Sequence, residues 1–329
     1  MPGRRIDVHN HYMGQPIYGF LRSSGFLPDN FPVAEWTPQD AIAFMDRHDI
    51  ASQVLSLPFS FTTNPADPAD SQFSATLVRQ INEAMAEVIK DHPDRFGAFA
   101  TLPFSTTDAT LAEIAYALDV LKLDGVALTS NVGGSYFGQP TLEPILAELG
   151  RRQVPVFVHP TDCVYGSDLN LGRVGSFIEF PFDTARNITN AALTGVFQCH
   201  PGLTLIMAHC GGALPTLAVR IAEHLGLGQG PGDAALDAQQ FRDVLAGLYY
   251  ETALAGSPNS LLPTLEVTRT DHILFGTDFS AAPEGVITRN IEHLMSSEAL
   301  DNADRHAIER GNAERLFPRL AATAAAYPR

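Results

Sequence analysis

Arg5-Ile6-Asp7-Val8-His9-Asn10-His11 opens the chain with a period of two, apolar Ile6 and Val8 alternating with Asp7, His9 and His11. That period marks a β-strand, and it puts Asp7, His9 and His11 on one face. His9 and His11 are then roughly 6.6 Å apart along the strand, at about 3.3 Å per residue. Two imidazoles at that separation can converge on one ion with bonds of about 2.0–2.1 Å. Alone, the pair reads equally well as the polar end of a strand. The decision lies further along the chain.

An irregular stretch follows, Tyr12 to Pro38, rich in Gly, Pro and aromatic residues. Loops this long inside a compact domain are usually functional, and its aromatics suit a packed wall or lid beside a site. From Pro38 onward helix and strand alternate. Apolar runs at Ser52–Leu57, Arg95–Thr101, Gly125–Leu128, Pro155–His159, Leu203–Ala208, Leu248–Thr252 and His272–Phe275 read as strands. Helical patterns separate them, among them Pro38–His48, Asp70–Lys90, Asp108–Lys122, Asp183–Cys199 and Leu214–His224. Strands buried on both faces belong to a parallel sheet, and eight βα units predict an α/β fold of the (β/α)8 TIM-barrel class. No G-x-G-x-x-G or P-loop follows any strand, which argues against a doubly wound nucleotide-binding sheet. Without an internal repeat or low-complexity linker, residues 1–329 read as one barrel domain with an extended loop after its first strand.

The formal charge of −16 argues against nucleic acid and anionic membranes as partners, because both require a basic surface. A small anionic substrate stays open, because a bound cation can dominate the local field. No apolar run reaches the length of a spanning helix, and Met1 to Arg5 lead straight into the strand without a signal peptide. Cys163, Cys199 and Cys210 are odd in number and lack CxxC spacing, so neither a disulfide framework nor a thiolate zinc site is expected. A cytoplasmic protein is the expectation.

Barrels of this class carry their active sites at the C-terminal ends of the strands. The first strand ends at His9 and His11, the fifth at His159 before Pro160, and the sixth at His209 before Cys210-Gly211-Gly212. The eighth runs through Gly276-Thr277 into Asp278. Metal-ligand residue types therefore end several separate apolar strands. The remaining histidines fall on helices, in loops or at strand starts, and read as structural or surface residues.

These motifs resemble the amidohydrolase superfamily. Asp7-x-His9-x-His11, Val158-His159-Pro160, Ala208–Gly212 and Gly276-Thr277-Asp278 fall in order, with Gly311–Phe317 as the closing motif. The match is nearest to the aminocarboxymuconate-semialdehyde decarboxylase-like branch, which includes γ-resorcylate decarboxylase. Trp36–Pro58 and Tyr116–Val158 look most like its 6-methylsalicylate decarboxylase type. The resemblance implies one divalent metal held by His9, His11, His159 and Asp278, with His209 beside it as catalytic base or polarising group. Binuclear relatives bridge two ions with a carboxylated lysine, and Lys90 and Lys122 both fall in helical stretches here. Three imidazoles and a carboxylate suit Zn²⁺, with Mn²⁺ tolerated. Asp7 sits one step deeper and is expected to hydrogen-bond its surroundings rather than the metal.

The implied reaction is non-oxidative decarboxylation of a hydroxyaromatic or related unsaturated carboxylic acid. Asp278 would supply the proton and His209 would hydrogen-bond the carboxylate. Phe59, Phe61, Phe177, Phe180 and Phe182 are candidates for an apolar ring pocket, Phe59 and Phe182 foremost. Arg22 is a candidate carboxylate anchor, and Arg220 matches an arginine that some members donate to a partner subunit, so a homodimer or homotetramer is expected. The same centre could instead activate water for hydrolysis of a lactone, ester or amide, or for hydration. A barrel that has lost catalysis and only binds is the third possibility.

Overall fold

The computed structural model describes residues 5–24, 35–57, 68–228 and 236–324. Eight parallel strands run in chain order: β1 (Arg5–His11), β2 (Ile50–Ser56), β3 (Phe96–Ala100), β4 (Gly125–Thr129), β5 (Pro155–His159), β6 (Thr204–Met207), β7 (Tyr249–Glu251) and β8 (Ile273–Leu274). The barrel closes just past β8. Val8 N–H donates to Phe275 O at 3.0 Å, Asp278 N–H donates to His9 O at 2.8 Å, and Asn10 bridges Phe279 in parallel register. The (β/α)8 barrel expected from the repeat of strand and helix is the observed fold.

Every residue of β1 is buried, polar ones included. β3 to β6 and β8 are shorter and mostly apolar, as the buried parallel staves of a barrel should be. Along the axis, Phe317 meets the edge of Phe99 at 5.7 Å between ring centroids, and Phe99 stacks on Phe157 at 5.5 Å. Phe157 in turn touches His9 at 4.9 Å. The closing motif Gly311–Phe317 thus begins an aromatic column whose upper end is the floor of the histidine cluster. Asn312 fixes that motif, its Nδ2 donating to Thr270 O at 2.7 Å and Ile273 O at 2.6 Å.

Several boundaries shift from the sequence reading. The helix expected over Asp183–Cys199 starts earlier, as Glu179–Leu193, and a separate turn Val196–Cys199 follows Gly195, whose φ is 85°. The helix expected through Lys122 loosens into a π turn at Tyr116–Val120. In the described part of the long first loop, Gly14 leads into helix Ile17–Ser23, and Tyr12 and Trp36 pack together with both rings buried. That packing agrees with a wall rather than a loose linker. Among the described residues no helix is long and apolar enough to cross a membrane.

Asp7 bolts the seam between first and last strands. Its Oδ1 accepts from His9 N at 3.1 Å and Thr277 N at 3.0 Å, and its Oδ2 from Gln53 Nε2 at 2.9 Å and Thr277 Oγ1 at 2.7 Å. Burial pushes its carboxyl up to about 7 against the hydrogen bonds from Thr277 and Gln53. Asp7→Ala removes the side-chain acceptor of the buried His9 amide and of the buried Gln53 side-chain amide, at about 1–3 kcal/mol each, and leaves Thr277 N–H only its longer bond to His9 O. We expect that variant to lose at least about 3 kcal/mol in urea unfolding. Asp7→Asn keeps an acceptor for the His9 and Thr277 amides and should lose less than half as much; equal losses would contradict this role.

A candidate metal centre at the mouth of the barrel

β1 brings His9 and His11 to the C-terminal mouth, β5 ends on His159, and Asp278 follows β8 in the left-handed region at φ 66°. The strain at Asp278 is held by its own amide, bonded to His9 O. His9 Nε2 and His11 Nε2 lie 3.2 Å apart, His11 Nε2 is 2.8 Å from Asp278 Oδ1, and His9 Nε2 is 3.3 Å from that oxygen. With His159, these residues form a group that could hold a metal ion, each offering one ligand atom. Ligand atoms around a tetrahedral ion with bonds of about 2.0–2.1 Å stand about 3.3 Å apart. The spacing and the donor types therefore fit a divalent metal.

The hydrogen bonds to the rings prepare them for that role. His9 Nδ1 lies 2.7 Å from Glu251 Oε1, and His159 Nδ1 lies 2.7 Å from Pro160 O. A carbonyl can only accept, so His159 carries its proton on Nδ1 and keeps the Nε2 lone pair free. Burial lowers the pKa of His159 well below its ordinary value, and neighbouring histidines add to the effect. Burial likewise lowers His11, although Asp278 opposes it. His9 goes the other way: burial disfavours its charge, but Glu251 and Asp278 outweigh that and push it up to about 10. Burial alone would raise Asp278, yet hydrogen bonds from His11 and His9 hold it well below the usual carboxylate range. The rings of His11 and His159, with their lowered pKa, beside an ionised Asp278 make a pocket that draws positive charge, and the raised pKa of His9 reports the same pull.

His209 stands beside this group rather than in it. The strand before it stops at Met207, and His209 and Cys210 both take φ 54° in a tight turn. Two consecutive side-chain-bearing residues in that region are uncommon, and three contacts hold them. His209 N–H donates to Glu251, its Nδ1–H donates to Ala253 O at 2.8 Å, and Gly212 N–H donates to His209 O at 3.0 Å. Gly212 is required here, because a Cβ would stand 2.6 Å from Pro181 O. With Nδ1–H committed to a carbonyl, Nε2 is the ring nitrogen of His209 left free of that bond. Its ring centroid is 4.8 Å from that of His9 and 5.7 Å from that of His159.

The other predicted site residues fall differently. Phe59 and Phe61 lie outside the described residues. Phe182 is exposed, while Phe180 turns toward the cluster with its ring 6.3 Å from His159. Arg22 packs over the Tyr18 ring and donates to the Tyr18 hydroxyl, and Arg220 is exposed on helix Leu214–Gly226. Lys90 pairs with Glu87 in a helix, and Lys122 follows the π turn. Neither lysine lies on a strand. His48, His200 and His272 pair with carboxylates away from the centre.

Glu251 was missed. It is fully buried at the end of β7 and forms, with His9 and His209, a second group of potential ligands. Its oxygens, however, are already taken by N–H donors from His9, His209 and Ala253. That group is a hydrogen-bonded unit rather than a second ion site. The only signal in the sequence was an acid inside an otherwise uncharged strand.

A family model described as amidohydrolase matches residues 6–319. The chain belongs to the amidohydrolase family. This amidohydrolase is 31% identical to the 6-methylsalicylic acid decarboxylase of Penicillium expansum, over 96% of its own length and 97% of that protein's. Its fold matches a crystal structure of 2,6-dihydroxybenzoate decarboxylase complexed with 2,6-dihydroxybenzoate, with TM-score 0.82 and 26% identity over 97% of this chain and 100% of that one. A dihydroxybenzoic acid decarboxylase from Polaromonas sp. JS666, solved with bound manganese and 2-nitroresorcinol, shares the fold with TM-score 0.82 at 23% identity, over 97% of each chain.

If His159 and Asp278 are ligands, replacing either with alanine should bring bound metal from one equivalent toward zero after dialysis, by elemental analysis. Retention at the wild-type stoichiometry would remove that residue from the centre.

Proposed function

We propose that this amidohydrolase is a metal-dependent, non-oxidative decarboxylase of a small hydroxyaromatic or related unsaturated carboxylic acid. The observation that carries the reading is the convergence of His9, His11, His159 and Asp278 with the open Nε2 of His209 beside them. Its length-wide similarity to a 6-methylsalicylic acid decarboxylase supports the same reaction class. His9, His11, His159 and Asp278 would hold a single divalent ion, Zn²⁺ by donor set, with Mn²⁺ as the alternative. When bound, the ion supplies a Lewis acid that orients the substrate carboxylate and an ortho hydroxyl and withdraws charge from the ring.

Loss of carbon dioxide from an aromatic acid requires a proton at the carbon that loses it. Asp278 moves that proton. Its Oδ1 faces His9 and His11, so Oδ2 is the oxygen free to carry it. Because Asp278 is held ionised, it first takes a proton from the substrate hydroxyl and then passes it to the ring carbon. His209 Nε2, protonated, donates to the carboxylate and steadies it until the carbon–carbon bond breaks. Phe180 offers an apolar face beside His159 for the ring.

A second copy of the chain completes the site in this reading, as a homodimer or homotetramer. Val164, Tyr165, Leu171, Val174, Phe177 and Ile178 are all more than half exposed in the segment after β5. Monomers seldom leave so many large apolar side chains exposed together. Arg220 projects from a helix nearby, which Val219 also leaves with an exposed apolar side chain. Phe182 and Arg22 remain candidates for substrate contact. The acidic surface leaves nucleic acid and anionic membranes aside as partners, and the three free thiols suit the reducing cytoplasm.

Pure protein incubated with a panel of hydroxybenzoates and lactones should convert hydroxybenzoates only, releasing carbon dioxide without uptake of water, as mass spectrometry reads. Conversion of lactones alone would replace this reading with hydrolysis. His209→Ala should keep its metal and lose about 10²–10⁴-fold in turnover; an unchanged rate would take His209 out of the reaction. Arg220→Ala should leave the oligomer intact by light scattering and raise KM with little change in kcat. A KM equal to wild type would make Arg220 an ordinary surface residue.

A further inference from the structure

Glu251 is a buried carboxylate at the mouth, bonded to His9 and His209, that the proposed reaction does not use. We infer that it is a positioning residue that sets a metal-facing ring and the catalytic turn with one carboxylate, and that the fold reserves the space for it. The inference rests on His9 being a metal ligand, as proposed above.

Three N–H groups converge on it. Oε1 accepts from His9 Nδ1 at 2.7 Å and from the backbone amide of His209, and Oε2 accepts from Ala253 N at 2.7 Å. The residue is 0% exposed, so these donors replace water entirely. Gly276 lies against it: a Cβ there would stand 1.9 Å from Glu251 Oε2 and 2.9 Å from His9 Cβ. Any side chain at position 276 would displace the carboxylate or the imidazole.

Two consequences follow from the geometry. First, the Glu251 oxygens already act as acceptors of two backbone amides, so His9 donates to Oε1 from Nδ1 and turns Nε2 to the side of His11 and Asp278. A ring free to choose its tautomer would present an N–H to the ion part of the time. Second, Oε1 anchors the amide of His209, whose φ of 54° has few other supports. Ala253, the residue whose carbonyl holds His209 Nδ1, is anchored on Oε2. Glu251 therefore sets the angle of the His9 ring and the path that aims His209. It touches neither ion nor substrate itself.

Glu251→Gln tests this. The new amide has one acceptor oxygen, so either the His9 and His209 donors or the Ala253 amide must face an NH2 group. Folded Glu251→Gln should bind Zn²⁺ about 10–100-fold more weakly than wild type in competition with a chelating dye. At saturating metal its kcat should fall more than its KM changes. Glu251→Asp retains the charge and should recover part of the affinity. Asn290→Ala is the control for a merely structural loss: Asn290 holds Gly256 N at 2.7 Å and Thr252 O at 2.9 Å beside β7 without touching the histidines. It should lower the melting temperature and leave Zn²⁺ affinity unchanged. Wild-type affinity in a folded Glu251→Gln, or an equal loss in Asn290→Ala, overturns the inference. Should the Glu251 variants fail to fold, ¹⁵N spectra of histidine-labelled, zinc-loaded wild type decide it. His9 must then be the Nδ1–H tautomer, and Nε2–H would refute the role. Failure of the wild type to bind any divalent metal would instead remove the proposed centre.

Discussion

The carbonyl of His9 accepts from the amides of both Thr277 and Asp278, at 3.2 and 2.8 Å. This seam, where the first strand meets the end of the last, governs the rest of the mouth. A barrel closes only if its two ends pair, and closure puts His11 within 2.8 Å of a carboxylate 267 residues away. Asp7 ties the same seam one layer below, through both its own strand and Thr277. The centre is thus assembled by a contact between residues 267 positions apart in sequence. It cannot exist in a chain that has formed its βα units but not joined the ends.

Three acids are buried around this seam, and each is tolerated for the same reason. Removing a carboxylate from water is expensive unless donors replace the water. Asp7 has four donor contacts, Glu251 three, and Asp278 faces two imidazoles. The donors at Asp7 and Glu251 include backbone amides of residues next to, or identical with, the functional ones. Structural satisfaction and functional aim are therefore the same bonds. This coupling also explains the positive φ of His209 and Asp278: each amide is pulled toward an acceptor that a regular strand would not reach.

The barrel was legible because its signals are local. Alternation fixed the face of His9 and His11, and apolar runs that end in His or Asp fixed which strand ends matter. Glu251 was not legible, because sequence cannot tell an acid paired with buried amides from one facing water. Phe180 against Phe182 turned on where a helix begins, and Glu179 starts it earlier than its pattern suggested. His209 was placed at a strand end, but the strand stops two residues before it. Its position depends on bonds to β7 that no local pattern records.

Charge provides the last constraint. Among the described residues no lysine or arginine is hydrogen-bonded to the histidine cluster, and the chain as a whole carries −16. In the proposed reading, a divalent ion would reverse that acidic background locally for an anionic substrate. Affinity for the carboxylate would then come from the centre together with any arginine a second copy supplies, and discrimination between ring substituents would be left to the walls around it. Those walls are loop residues, which vary more freely than strand ends. An acid lacking a second donor ortho to its carboxylate would hold the ion through one group only. It would lose the orientation that brings Asp278 Oδ2 to the ring carbon, so selectivity for ortho-hydroxy acids should be expressed in kcat as well as KM.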